Sequence, residues 1–270
     1  MSSHAGPADR PESLVSIGRV GDVSIVTLAR PDKANALDAD VAAALLDAVQ
    51  QVAVDGTRAA VITGEGAAFS AGGDFRTIQD MQNPEIRSAV LDIHRTLFWE
   101  VIRSPIPIVA AVNGPAVGAG ATVALLADLV VMSQDAYLCD PRVSLGLLDG
   151  AGGLIIWPLL TSLSAAREYL LLGDRVTADD AYRLGLANRV EPTKQVVPTA
   201  IELAGRLAAL PAQATRQARR LLNSPLEAAA ADLLDACSAA ETTCFDSDEH
   251  RDRLAELITR TAARNERTEP

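Results

Sequence analysis

Asn113-Gly-Pro-Ala-Val-Gly-Ala-Gly120 follows directly on the apolar run Ile106–Val112 and opens a second apolar segment. A companion stretch lies earlier: Ala59–Thr63 has the composition of a buried strand, and the glycine-rich Gly64–Gly73 follows it, with Phe69-Ser-Ala-Gly-Gly-Asp74 at its end. Both read as a strand, a glycine turn and a helix start. Glycine accepts dihedrals closed to other residues and lets the main chain come close to a ligand. The first N–H groups of a helix lack intrahelical acceptors and carry partial positive charge. Two such junctions side by side can aim two N–H donors at one oxygen, as an oxyanion hole does. The other reading is that these glycines only permit tight turns, and spacing alone leaves both open.

Outward from these junctions the chain alternates. Leu14–Ile17 and Val23–Leu28 are short β-branched runs that predict strands. Asp38 precedes the Ala-rich run Val41–Val54 as a helix N-cap would. After Pro84, Ile86, Val90, Ile93, Leu97 and Val101 recur at spacings of three and four, one face of a long helix that Pro105 and Pro107 end. Leu129–Met132 reads as another strand. Alternating strands and helices predict an α/β fold with mostly parallel pairing. The later chain is helical. Thr177-Ala-Asp-Asp180 and Ser224-Pro-Leu-Glu227 read as capping boxes, and Gly185 as a helix terminator.

Composition narrows the function. The 270 residues carry a net charge of -11, against a nucleic-acid partner, and aromatic residues are only 3% of the chain, too few for base stacking. Cys139, Cys237 and Cys244 form neither a disulfide framework nor a zinc pair, so a cytoplasmic setting is expected. Residues 1–12 predict a flexible tail without the apolar core of a signal peptide. The longest apolar stretch, Ala121–Met132, is broken by Asp128 and too short to span a bilayer. Ala68-Phe-Ser70-Ala-Gly72 departs from a nucleophile elbow at its first position. No dinucleotide fingerprint, P-loop or HExxH occurs, and the three histidines (His4, His94, His250) do not suggest a metal site.

With these pieces in order, the sequence resembles the crotonase family, also called the enoyl-CoA hydratase/isomerase family. Lys33-Ala-Asn-Ala-Leu37 resembles its K-x-N-A-L segment, Phe69–Phe75 its F-x-A-G-x-D element, and Pro107–Gly120 its P-x-I-A-A-V-N-G…G-G-G element. Leu145-Gly-Leu through Gly153, Leu171–Gly173 and Ala181–Val190 continue the likeness, which spans about Leu14 to Arg260. The resemblance implies a spiral of ββα units over residues 13–192. A helical region over 193–270 would drive assembly into trimers or hexamers. It also implies an acyl-CoA substrate, with no cofactor beyond the coenzyme A of that substrate. The thioester oxygen would sit between the backbone N–H groups of Gly73 and Ala119, the latter replacing the usual glycine. Lys33, Ala34, Ala71, Asp74 and Arg260 would contact coenzyme A, and Leu257 stands where relatives often place Phe.

The departures from the family pattern bear on the reaction. Its hydratases use two glutamates, whose positions fall here at Thr122 and Arg142. Neither is a carboxylate, and neither exchanges a proton near neutral pH. Little ordinary hydratase activity is therefore expected. Asp149 is the first substitute, with a helix N-cap as its plain alternative. His94 is the second, with packing as its alternative. Arg142 suits a second carboxylate on the substrate, or else a surface salt bridge. Three functions stay open: a lyase or isomerase of fatty-acid metabolism working through an enolate, a non-catalytic acyl-CoA-binding protein, and an acyl-CoA hydrolase using Ser70 with His94.

Overall fold

The computed structural model describes residues 13–73 and 75–266, with only the backbone of residues 75 and 260–266. The tail expected at residues 1–12 lies outside the described residues. The hairpin β1 (Val15–Val20) and β2 (Val23–Leu28) leads through α1 (Ala39–Val54) to β3 (Ala59–Gly64). Helices α2 (Phe75–Asp80) and α3 (Pro84–Arg103) precede β4 (Ile108–Val112). Then come β5 (Ala116–Val117), α4 (Ala119–Leu125), β6 (Leu129–Ser133) and β7 (Tyr137–Cys139). They are followed by α5 (Gly153–Leu160), α6 (Leu163–Leu172), β8 (Val176–Thr177), α7 (Ala178–Leu184) and β9 (Arg189–Glu191). Four helices complete the order: α8 (Thr193–Ala208), α9 (Ala212–Leu222), α10 (Ser224–Phe245) and α11 (Asp248–Glu266).

The main sheet runs β1-β2-β3-β4-β6-β9, with all pairs parallel except the β1–β2 hairpin. A smaller sheet places β7 between β5 and β8. Strand alternation sorts the side chains of the main sheet into two cores. Val23, Ala59, Val61, Val109, Ala111 and Val131 face one way and meet Val196, Ala200, Ala204 and Ala208 of α8. Their neighbours, Val26, Ala60, Ile62, Ala110 and Met132 among them, face the larger core with α1, α3 and α4. Both faces are covered, which is why β3 and β4 read as unbroken apolar runs rather than alternating ones.

Some expectations change. Within the helical stretch expected over 193–270, α8 lies directly on the sheet through its alanine stripe. The Ser224 capping box does not form. Asn223 before it is already helical, and the Ser224 hydroxyl donates back to Leu221 O at 2.8 Å, since α9 runs almost straight into α10. Ile86, in the first turn of α3, stays exposed. The caps at Asp38 and Thr177 form, accepting from Val41 N and Asp180 N, and Gly185 ends α7 in a left-handed conformation.

Candidate active site

Three segments distant in sequence are stitched together by backbone hydrogen bonds. Ala71 N donates to Ala34 O at 2.9 Å, Leu37 N to Gly72 O at 2.8 Å, and Val117 N to Ser70 O at 2.9 Å. Asn35 anchors the first segment from a fully buried site at φ 55, donating to Glu65 O and Ala68 O while accepting from Arg30 N. Gly72 has φ 75, and a Cβ there would stand 2.4 Å from Val117 O, so only glycine brings the two junctions this close. The junctions anticipated from sequence do therefore lie side by side.

Gly73 and Ala119 both line a cavity of about 350 Å³. Among the described residues, no acceptor takes the N–H of either. Ala119 begins α4 without a positive φ, so its backbone does not demand glycine. The cavity walls are mostly apolar, with Leu37, Ile78, Met81, Val90, Leu91, Leu147 and Phe245. Leu257 closes it from α11 of the same chain. That helix is held by fully buried His250, whose ring bonds Leu145 O at 2.7 Å and Gln82 at 3.0 Å. Thr77 and Val90 are shared with a polar cavity of about 400 Å³ edged by Lys33 and Arg76. Ala71 lines the first cavity, and Ala34 is half-buried beside it. Asp74 and the side chain of Arg260 lie outside the described residues.

Asp149, Arg142 and Thr122 form one buried cluster. Arg142 grips Asp140 through Nε and Nη2, each at 2.9 Å, and its Nη2 also lies 2.8 Å from Asp149 Oδ2. Thr122 Oγ1 donates to the same oxygen at 3.0 Å, and Ala151 N donates to Asp149 Oδ1 at 2.6 Å. Asp149 is therefore not a helix N-cap; Gly152, at φ 113, occupies that place before α5. Gly153 makes room, since a Cβ there would fall 1.9 Å from Asp149 Oδ2. Arg142 is no surface salt bridge, with its side chain only 15% exposed. The fork that a substrate carboxylate would need is already spent on Asp140. Burial works against the guanidinium charge, but Asp140 and Asp149 more than offset it and hold Arg142 above its ordinary value. Burial pushes the Asp140 carboxyl up, against the pull of Arg142.

Two further titratable groups line the cavity with Arg142. His94 comes from α3 with its Nε2 buried and without a partner among the described residues. Burial, helped by the charge of Arg142, lowers it to about 4, so it is neutral at physiological pH. Glu241 of α10 is the residue sequence reasoning missed. It is buried, it lines the cavity, and its Oε2 accepts from Gly150 N at 3.0 Å. Burial pushes it up to about 7, with Asp149 and Asp140 adding to the effect against Arg142. Ser70 is not a nucleophile here: it is fully buried, and its hydroxyl donates to Asn35 O at 2.8 Å. Cys139 is buried in the core. Among the described residues no His, Cys, Asp and Glu group is placed to hold a metal ion, and no helix is long and apolar enough to cross a membrane.

The comparisons with known proteins agree with this geometry. The enoyl-CoA hydratase/isomerase family model matches residues 19–262. A crystal structure of an enoyl-CoA hydratase/isomerase from Mycobacterium paratuberculosis superposes with a TM-score of 0.86 at 39% identity, covering 92% of this chain and 99% of that one. A short-chain-enoyl-CoA hydratase of Clostridium acetobutylicum is 28% identical over 246 residues, 90% of this chain and 94% of its own. A monofunctional enoyl CoA isomerase from M. smegmatis has a TM-score of 0.68 at 29% identity, covering 80% of this chain and 94% of that one. The spiral α/β fold, the stitched glycine junctions and a family match over most of the chain lead to one conclusion: the protein belongs to the enoyl-CoA hydratase/isomerase family.

Proposed function

We propose that this protein binds an acyl-CoA thioester and shifts the double bond of its acyl chain through an enolate, with hydration at most a minor reaction. One observation carries the reading: Gly73 and Ala119, whose N–H groups no described residue accepts, line a cavity into which positions 122 and 142 send no carboxylate. Each N–H aimed at a developing oxyanion is worth about 3 kcal/mol or more of barrier lowering. Hydration needs groups that activate water and deliver a proton to the neighbouring carbon. Thr122 and Arg142 do neither. Migration of a double bond needs only one group that takes a proton from one carbon and returns it to another.

The acyl chain fits the apolar cavity. The coenzyme A moiety lies over Ala34 and Ala71 toward the polar cavity, where Lys33 meets phosphate. Asp149 acts as counter-ion to Arg142 rather than as the proton carrier. Exposed leucines at 159, 163, 171, 172, 221 and 222 support assembly into a homotrimer or hexamer. The test is mass spectrometry in D₂O with paired 2-enoyl- and 3-enoyl-CoA esters. Interconversion with deuterium at C2 is expected. Predominant 3-hydroxyacyl-CoA would overturn the isomerase reading. Tight ester binding with neither exchange nor product would select the non-catalytic one.

A further inference from the structure

We propose that Glu241 of α10 is the catalytic residue that carries the proton in this reaction. The proposal rests on the enolate reading above and assigns its missing base. Glu241 lies far from the glycine junctions in sequence but lines the same cavity as Gly73 and Ala119. Its two oxygens differ. Oε2 is fixed by the Gly150 N–H, and a Cβ at Gly150 would stand 2.2 Å from that oxygen, so glycine there permits the contact. Oε1 receives no hydrogen bond from the described residues. One oxygen anchored and the other unengaged is the arrangement a positioned base requires.

The other groups in reach are less suited. Asp149 is 2% exposed and takes three donors, from Arg142, Thr122 and Ala151. Arg142 stays charged between its two aspartates. His94, across the cavity on α3, binds a proton too weakly to compete near neutral pH. Cys237 and Cys244, on α10 itself, are thiols pushed up by burial, with Glu241 adding to the effect. The charged groups acting on Glu241 are thus Arg142, Asp149 and Asp140. Burial raises the proton affinity of Glu241 most; Arg142 opposes it, and Asp149 and Asp140 add to it, bringing the group to about 7.

The step balances without a cofactor. Glu241 Oε1 takes the proton from C2 of a 3-enoyl thioester. The C–H electron pair forms a double bond to the carbonyl carbon, and the carbonyl π pair moves onto the oxygen between the Gly73 and Ala119 N–H groups. Glu241 then returns the proton to C4. The C3–C4 π pair takes that proton, the pair between the carbonyl carbon and C2 becomes the C2–C3 double bond, and the oxyanion pair regenerates the carbonyl, leaving a 2-enoyl thioester.

The test compares wild type with Glu241→Gln, whose amide oxygen still accepts the Gly150 N–H. Readouts are C2 deuterium exchange and equilibrium binding of the same ester. The variant should lose exchange by about 10²-fold or more, while binding changes by less than about threefold. Wild-type exchange should fall about tenfold per pH unit below about 7 and level off above it. Glu241→Gln exchanging within about threefold of wild type would overturn the assignment alone, leaving the enolate reading in place. So would a flat wild-type profile between about pH 5.5 and 8.5, which needs no variant to fold. Wild type that binds the ester but exchanges no deuterium would overturn the enolate reading and this assignment with it.

Discussion

Glu241 and His94 impart stability slopes of opposite sign, and removing either should unmask the other. Burial raises Glu241 from 4.5 to about 7, so between those values the folded chain keeps a proton that the unfolded chain has released. Its contribution is complete below about pH 4.5 and is lost as pH rises through about 7. Burial lowers His94 from 6.5 to about 4, so there the unfolded chain takes up a proton the folded imidazole refuses. That contribution is complete above about 6.5 and is lost as pH falls toward 4. With Glu241 buried and His94 half-buried, each shift is worth at most about 3 kcal/mol. Between pH 4.5 and 6.5 the two slopes nearly cancel in the wild type. Glu241→Gln removes one of them. The stability difference, wild type minus variant, should then shrink by up to about 3 kcal/mol from pH 4.5 to pH 7.5. Asp140, also raised by burial, is common to both proteins and largely drops out of the difference. Urea unfolding at matched protein concentration measures this, and matching matters because assembly adds a concentration-dependent stability. His94→Gln should give the opposite slope. A wild-type-minus-Gln difference constant within about 0.5 kcal/mol across the range would refute the electrostatics assigned to Glu241.

Three other substitutions probe the scaffold. Asp149→Ala leaves Arg142 buried with Asp140 as its remaining counter-ion and should cost about 3 kcal/mol in urea unfolding; a loss below about 1 kcal/mol would show the guanidinium escaping to solvent. Asn35→Ala removes three buried hydrogen bonds at a left-handed residue and should cost about 3 kcal/mol; thermal unfolding unchanged from wild type would contradict that anchoring role. Gly72→Ala puts a methyl 2.4 Å from Val117 O at φ 75, and it should depress C2 exchange together with stability; normal exchange would mean the two junctions need not touch.

The sequence made the junctions legible because their signals are local. A glycine with φ 75 at position 72 and the Asp38 cap announce themselves within a few residues. The roles of Asp149 and Arg142 were not local. An aspartate before a helix start has the pattern of a cap, and nothing nearby says that Thr122 and Arg142 converge on its side chain. The place of α8 was not local either: an alanine stripe at every fourth position suits any close surface, and here the surface is the sheet. Glu241 did leave a trace. Leu226, Ala230, Leu234, Glu241 and Phe245 are the buried residues of α10, so the carboxylate sits in register with the helix's apolar face.

The position of Arg142 ties these observations together. A cation there needs compensation in a buried setting, and Asp140 and Asp149 supply more than it requires. Both aspartates also act on the next ionisable group in reach. Burial gives that group, Glu241, most of its raised proton affinity, and the two aspartates add to it. The same arginine also helps keep His94 neutral across the cavity. An arginine at position 142 therefore does more than withhold a base. It brings two counter-ions whose combined field helps set the protonation of a carboxylate on a different helix, and the site's acid–base chemistry is better located by charge balance than by matching motif positions.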